Sequence, residues 1–189
     1  MTNKERFLDI VNTNIKRDGI EKLVAYLEKS DFFTAPASTR FHDDYEGGLL
    51  DHSLRTYDHL KKLIDFYKVP ASDETIAIVA LFHDLCKIDC YTIEQRWRKD
   101  ENNQWESYNT YKFDEKRHYG GHGSKSVFIV NFYIKLTFEE AAAINCHMGF
   151  DGANDYSIGD NFRTSPLSYL LHVADMLSTI PYFNEENEK

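Results

Sequence analysis

The chain is short of cysteine, of long apolar runs and of positive charge, and each shortage excludes something. Its cysteines are Cys86, Cys90 and Cys146. They are odd in number and have no CxxC spacing, which argues against a disulfide framework or a zinc–cysteine site and predicts reduced thiols in a cytoplasmic protein. No uninterrupted run approaches the about 20 apolar residues that cross a bilayer. Lys4, Glu5, Arg6 and Asp9 interrupt the apolar residues of positions 1–16, so no signal peptide and no membrane partner are expected. Against 31 Asp+Glu stand only 22 Lys+Arg, for a net charge of −9. Such a chain lacks the basic face that grips a nucleic-acid backbone, which excludes an extended nucleic-acid tract as a partner. A small phosphorylated molecule held by a metal and a few local cations is not excluded.

What remains is enough for one domain spanning residues 1–189. A chain of this size buries about 70% of its unfolded surface and folds without staples. Apolar spacing predicts helices over 6–15, 20–27 and 49–67, the last ended by Pro70. A helix over 75–87 follows a Ser72 cap and is apolar nearly all round, as the buried centre of a bundle is. Residues 91–98 and 104–113 are rich in Tyr, Trp, Thr and Ile and flank Asp100-Glu101-Asn102-Asn103, a hairpin pattern with a longish turn. Helices return from 121, over 138–146 and over 166–180. Residues 151–162 read as a polar loop and 184–189 as a frayed tail. The expected fold class is an all-α bundle with a β-hairpin inserted at 91–113.

Eight histidines make the distribution of imidazoles informative. His83-Asp84 closes the most apolar helix, where an ionised carboxylate beside an imidazole is costly unless a cation or a hydrogen-bonded pairing compensates. His52 lies in the first turn of the long helix. His122 sits between glycines at a helix start, His147 just past the Ala141-Ala142-Ala143 helix, and Asp175 among apolar residues of the last helix. Bundles build metal sites in this way, from inward side chains on separate helices.

The segments Gly47-Gly48-Leu49-Leu50-Asp51-His52, Leu81-Phe82-His83-Asp84-Leu85-Cys86-Lys87, Gly121-His122-Gly123, Cys146-His147 and His172-Val173-Ala174-Asp175 carry the order H…HD…H…H…D. Over residues 41–179 this resembles the HD-domain superfamily of metal-dependent phosphohydrolases, in the manner of the HD domains of bacterial 3′-5′ exoribonucleases and their stand-alone relatives. The resemblance implies that His52, His83, Asp84 and Asp175 hold a first metal, and that Asp84, His122 and His147 serve a second where two are present. Four imidazoles and two carboxylates suit Fe, Mn, Co, Ni or Zn better than Mg. It also implies Asp84 and Lys87 as catalytic residues. Lys87 is placed one turn beyond Asp84 on the same helix face, from which it either contacts the phosphate or is a solvated helix-end lysine. Arg55, Lys125 and Arg163 are the candidate phosphate contacts.

Of the other histidines, His42 is expected at the mouth of the site, His59 in packing, His172 orienting Asp175 or bonding a neighbour, and His118 in solvent. The chain departs from (p)ppGpp hydrolases at Cys86-Lys87-Ile88-Asp89, where those enzymes carry acids. It also lacks the Tyr-Pro of HD-GYP cyclic-dinucleotide phosphodiesterases after His147-Met148-Gly149.

The hairpin aromatics Trp97, Trp105, Tyr108 and Tyr111 either stack on a base or pack the hairpin on the helices or on a second subunit of a homodimer. The packing reading is preferred. The expected function is hydrolysis of a phosphomonoester or phosphodiester of a nucleotide or short oligonucleotide by metal-activated water. The alternative is a non-hydrolytic module that binds a nucleotide or a protein.

Overall fold

A computed structural model describes residues 1–117, 120–150 and 156–184, and these are mainly helical with a single two-stranded hairpin. Two helices open the chain, α1 (Asn3–Asn14) and α2 (Ile20–Lys29). They are followed by α3 (Gly48–Tyr67) and α4 (Asp73–Phe82). After the hairpin come α5 (His122–Tyr133), α6 (Phe138–Cys146), α7 (Tyr156–Thr164), α8 (Pro166–Ser178) and the single turn α9 (Pro181–Asn184). No helix among the described residues is long and apolar enough to cross a membrane.

Local sequence explains where the helices begin. Thr2 and Glu5 form a reciprocal capping box at α1, as Thr137 and Glu140 do at α6. Ser72 caps α4, and Ser165 with Pro166 starts α8. α4 is buried from Ile76 to Phe82 and packs against α1, α3 and α6, while α8 closes the bundle over α3 and α6. The expected central helix is therefore central. Glu140, fully buried, ties three segments together. Its carboxylate accepts from both Arg17 guanidinium nitrogens at 2.6 and 2.7 Å and from the Thr75 hydroxyl at 3.0 Å, besides capping α6.

Three expectations are corrected. The helix predicted over 75–87 ends at Phe82, because the His83 ring donates to the Ala80 carbonyl at 2.8 Å, and Asp84 leaves helical geometry at φ −109°, ψ 19°. A separate 3₁₀ turn, Leu85–Lys87, follows. The polar stretch read as a loop over 151–162 contains α7. Its composition is overridden by packing: Ile158 is buried, and the Phe162 ring contacts Phe150, Tyr169 and His172. The start of that stretch, residues 151–155, lies outside the described residues. Asn184, expected to begin the frayed tail, instead donates to the Ser178 carbonyl at 2.7 Å and lies 2.9 Å from His59 Nε2. Residues 185–189 are outside the description.

The hairpin pairs β1 (Tyr91–Lys99) with β2 (Trp105–Phe113), antiparallel, in register from Tyr91↔Phe113 to Lys99↔Trp105. Asp100 shapes the turn by accepting from the amides of Asn102 and Gln104. The root is fixed by Tyr91, whose hydroxyl donates to Ala37 O and whose ring packs on Phe113, and by an Asp114 amide bond to Cys90 O at 2.7 Å. Beyond the root the arm is exposed. Trp97 and Trp105 are 62% and 66% accessible, so they do not pack it onto the helices of this chain.

Candidate metal centre

Four helices and one turn deliver side chains to a common point. His52 comes from the first turns of α3, His83 from the cap of α4, and Asp84 from the residue where that helix breaks. His147 caps α6 and Asp175 lies near the end of α8. His52, His83 and His147 are fully buried, Asp84 is 3% exposed and Asp175 8%. Glycines set two of the approaches. A Cβ at Gly48 would overlap the Asp43 carbonyl, and one at Gly123 would overlap the Asn145 carbonyl next to Cys146 and His147. Close backbone contact at Gly123 thus brings the start of α5, with His122, against the end of α6.

The orientation of each ring is decided by its outer nitrogen. His83 Nδ1 lies 2.8 Å from the Ala80 carbonyl, and His147 Nδ1 lies 2.6 Å from the Ile144 carbonyl. A carbonyl only accepts, so both rings carry a proton on Nδ1. His52 Nδ1 is 2.9 Å from Ser178 Oγ, which spends its own proton on the Asp175 carbonyl at 2.7 Å and so accepts from the ring. The Nε2 atoms of all three rings then face inward. His52 Nε2 stands 3.1 Å from His83 Nε2 and 3.1 Å from Asp175 Oδ1. Both of these Nε2 atoms lie 3.6 Å from Asp84 Oδ2, and His83 Nε2 is 3.8 Å from Asp175 Oδ1. His147 Nε2 is 3.4 Å from Asp84 Oδ1 and has no hydrogen-bond partner.

No known family, curated protein or solved structure matches this chain. Nitrogen and oxygen ligands of one transition-metal ion, each about 2.0–2.1 Å from it, are about 2.9–3.4 Å apart. The donor separations of 3.1–3.8 Å among His52, His83, Asp84 and Asp175 are close to those edges. The buried His and Asp residues can hold a metal ion, and their outer nitrogens are bonded as those of ligating histidines are.

The electrostatics differ from ring to ring. Burial, outweighing the attraction of Asp84 and Asp175, pushes His83 down to about 4, so it is neutral, whereas His147 is raised against its burial, chiefly by Asp84. Burial works against ionisation of Asp84, but Lys87 and then His83 and His147 outweigh it and hold the carboxyl well below its ordinary range. Asp175 is likewise depressed against its burial, chiefly by His52. The pocket thus holds two carboxylates. Lys87 meets one of them: its Nζ donates to Asp84 Oδ2 at 2.6 Å, and its own pKa is raised by that carboxylate despite burial.

Lys87 reaches Asp84 across the 3₁₀ turn rather than along an α-helix; residues three apart eclipse there, so the expected neighbour relation survives. His122 sits beside Cys86, with Nδ1 3.4 Å from Sγ, and not within the His52–His83–Asp175 group. The other predicted cations are committed elsewhere. Arg55 pairs with Asp43 and donates to Ser178 O, lining a pocket of about 300 Å³ with His42 and Thr179 on the outer side of His52. Lys125 donates to Cys86 O at 2.6 Å and Arg117 O at 2.9 Å, locking the hairpin root to the 3₁₀ turn. Arg163 pairs with Asp160 on its own exposed helix.

His42 stands at the outer side of the site, its ring 5.3 Å from that of His52, and His172 bonds the His147 carbonyl rather than Asp175. His118 lies outside the described residues. Sequence reasoning missed Ser178 and Cys86. Ser178 is three residues after Asp175 on α8, so its shared face was the available signal. Cys86 gave none, because the break at Asp84 sets its direction.

Proposed function

We propose that the chain is a metal-dependent phosphohydrolase acting on a small phosphorylated substrate, a phosphomonoester or phosphodiester of a nucleotide or short oligonucleotide. The observation that carries this reading is the convergence of three imidazole Nε2 atoms and two carboxylates in one buried place, two of those nitrogens only 3.1 Å apart. Such a set repels itself unless a cation lies between its members. His52, His83, Asp84 and Asp175 would hold the ion. When bound, it supplies a water made acidic enough to attack phosphorus and a positive charge for the phosphoryl oxygens. The resemblance to HD-domain phosphohydrolases assigns the same residues.

The chain's own groups do the rest. Ser178, Ala80 and Ile144 fix the three rings through Nδ1, so no reorientation is needed as charge develops. Lys87 and Asp175 are the members of the cluster with side chains 11% and 12% accessible, and they mark its opening. Substrate phosphate entering there meets the Lys87 ammonium, which moves from Asp84 to the new anion.

The test is hydrolysis of generic phosphomonoesters and phosphodiesters by purified, metal-analysed protein with Mn, Fe, Co, Ni, Zn or Mg. We expect bound transition metal and turnover that disappears with His83→Ala plus Asp84→Ala. Turnover surviving that double change refutes the proposal. The exposed hairpin tryptophans favour a second reading, a non-hydrolytic module that binds a nucleotide or protein. It predicts ligand-induced stabilisation without product.

A further inference from the structure

The two oxygens of Asp84 face different sets of donors. Oδ2 looks toward His52 and His83. Oδ1 lies 3.4 Å from His147 Nε2 and 3.8 Å from Cys86 Sγ, and that sulfur lies 3.4 Å from His122 Nδ1. We infer that Cys86 is a ligand to a second cation, held on the Oδ1 side of Asp84 together with His122 and His147. The inference rests on the metal-centre reading above and adds to it a sulfur donor.

Three observations carry it. First, three separations, each made by Cys86 or Asp84, match. A sulfur about 2.3 Å and a nitrogen or oxygen about 2.1 Å from one tetrahedral ion are about 3.6 Å apart, and two nitrogen or oxygen ligands are about 3.4 Å apart. The distances are 3.4 and 3.8 Å to sulfur and 3.4 Å between His147 and Asp84. Second, His147 Nε2 is fully buried, points at Asp84 Oδ1 and has no hydrogen-bond partner. An imidazole held by its other nitrogen, with a buried Nε2 left without a partner, is oriented as a metal ligand is. Third, the sulfur is aimed by the backbone. The Cys86 amide donates to Ser126 Oγ at 3.0 Å, and the 3₁₀ turn after Asp84 leaves Sγ on the same side as Oδ1. Cys90, one turn on, is directed instead at the Cys86 and Arg117 carbonyls, and its sulfur also receives Lys125 at 3.1 Å.

A thiolate changes which ions fit. Hard Mg²⁺ is disfavoured, and Zn²⁺ or Co²⁺ is selected at this position, whereas the His52–His83–Asp175 side offers only nitrogen and oxygen. The pair of positions is thereby chemically unequal.

The test uses the full chain, stripped of metal and titrated with Co²⁺ alone. We expect two equivalents to bind and a thiolate-to-cobalt charge-transfer absorption to accompany one of them. In Cys86→Ser and Cys86→Ala that absorption vanishes, and affinity for one equivalent falls by more than about 100-fold, beyond what loss of an outer-sphere partner costs. Cys90→Ser and Cys146→Ser retain both. Two equivalents bound by the unaltered chain without the sulfur absorption, or an absorption that survives Cys86→Ser, overturns the ligand assignment while leaving the metal centre standing. Failure to bind Co²⁺ at all overturns both. The spectrum of the unaltered chain decides even where a Cys86 variant does not fold.

Discussion

The bundle interior and the hairpin arm distribute their side chains in opposite ways. Inside, at the meeting of α3, α4, α6 and α8, the chain buries three imidazoles, two carboxylates and a lysine. On the arm, Trp97, Trp105 and Ile93 stand more than half exposed in water. Folding alone rewards neither choice: buried charge is costly without a partner, and exposed indole forgoes the burial free energy it would gain elsewhere. The interior gathers its costly groups into one buried cluster that can hold a metal ion. The arm has no such answer within one chain. The comparison separates two kinds of departure from a simple core, one that closes on itself and one that points outward.

The comparison breaks most decisively if the interior cluster is indifferent to metal. Thermal unfolding with Zn²⁺ or Co²⁺ against chelator is expected to show a large difference, about 4 kcal/mol at a free-ion concentration of about 1,000 times Kd. Asp84→Ala should abolish it. A melting temperature unmoved by either ion would mean that the cluster is only a hydrogen-bonded pairing of His and Asp.

Next comes the other buried charge, Glu140, which binds no metal ligand and so serves as a contrast. Glu140→Ala leaves Arg17 without its bidentate partner and should cost about 3 kcal/mol in chemical denaturation. The Glu140 carboxyl is held below its ordinary value: burial raises it, but Arg17 and the Thr137 amide outweigh that. Its stabilisation is therefore full above the unfolded value near 4.5 and is lost as pH falls through the lower folded value. Glu140→Gln should flatten the acid limb of a stability–pH profile; an unchanged limb would assign acid sensitivity to other carboxyls.

Ser178→Ala removes the acceptor that fixes His52, and metal affinity should drop about 10–100-fold by competition titration. Gly123→Ala forces α5 away from α6 and should cost about 1–3 kcal/mol. Trp97→Ala and Trp105→Ala should change stability by no more than about 0.5 kcal/mol. A larger loss at low protein concentration would show that the arm packs on the bundle after all. A loss confined to high concentration would place the tryptophans in contact between two copies.

Much of the frame was legible from local patterns. The periodicity of α3, the all-round apolar α4 and the helical stretch expected over 138–146 mark those helices within a residue or two of their observed starts. The Tyr-, Trp- and Thr-rich strands around Asp100 mark the hairpin. Illegible were features that depend on what a segment meets. α7 looks like a loop because its polar composition says nothing of Phe162 wedging among Phe150, Tyr169 and His172. The end of α4 was overrun because no local propensity anticipates the His83 ring taking the Ala80 carbonyl. Charge and spacing alone do not reveal that Lys125 bonds the Cys86 and Arg117 carbonyls and the Cys90 sulfur, or that Arg163 has its own aspartate.

By itself, the sequence determined which residues are able to coordinate a cation and that they ride on separate helices, because residue type and helical period are local properties. Only the tertiary structure decided which nitrogen of each ring faces inward, that Asp84 presents an oxygen to each side, and that Cys86 rather than Lys125 joins the cluster. Those outcomes depend on hydrogen bonds between helices far apart in the chain, such as Ser178 to His52, and on the few ångströms of backbone approach permitted at Gly48 and Gly123.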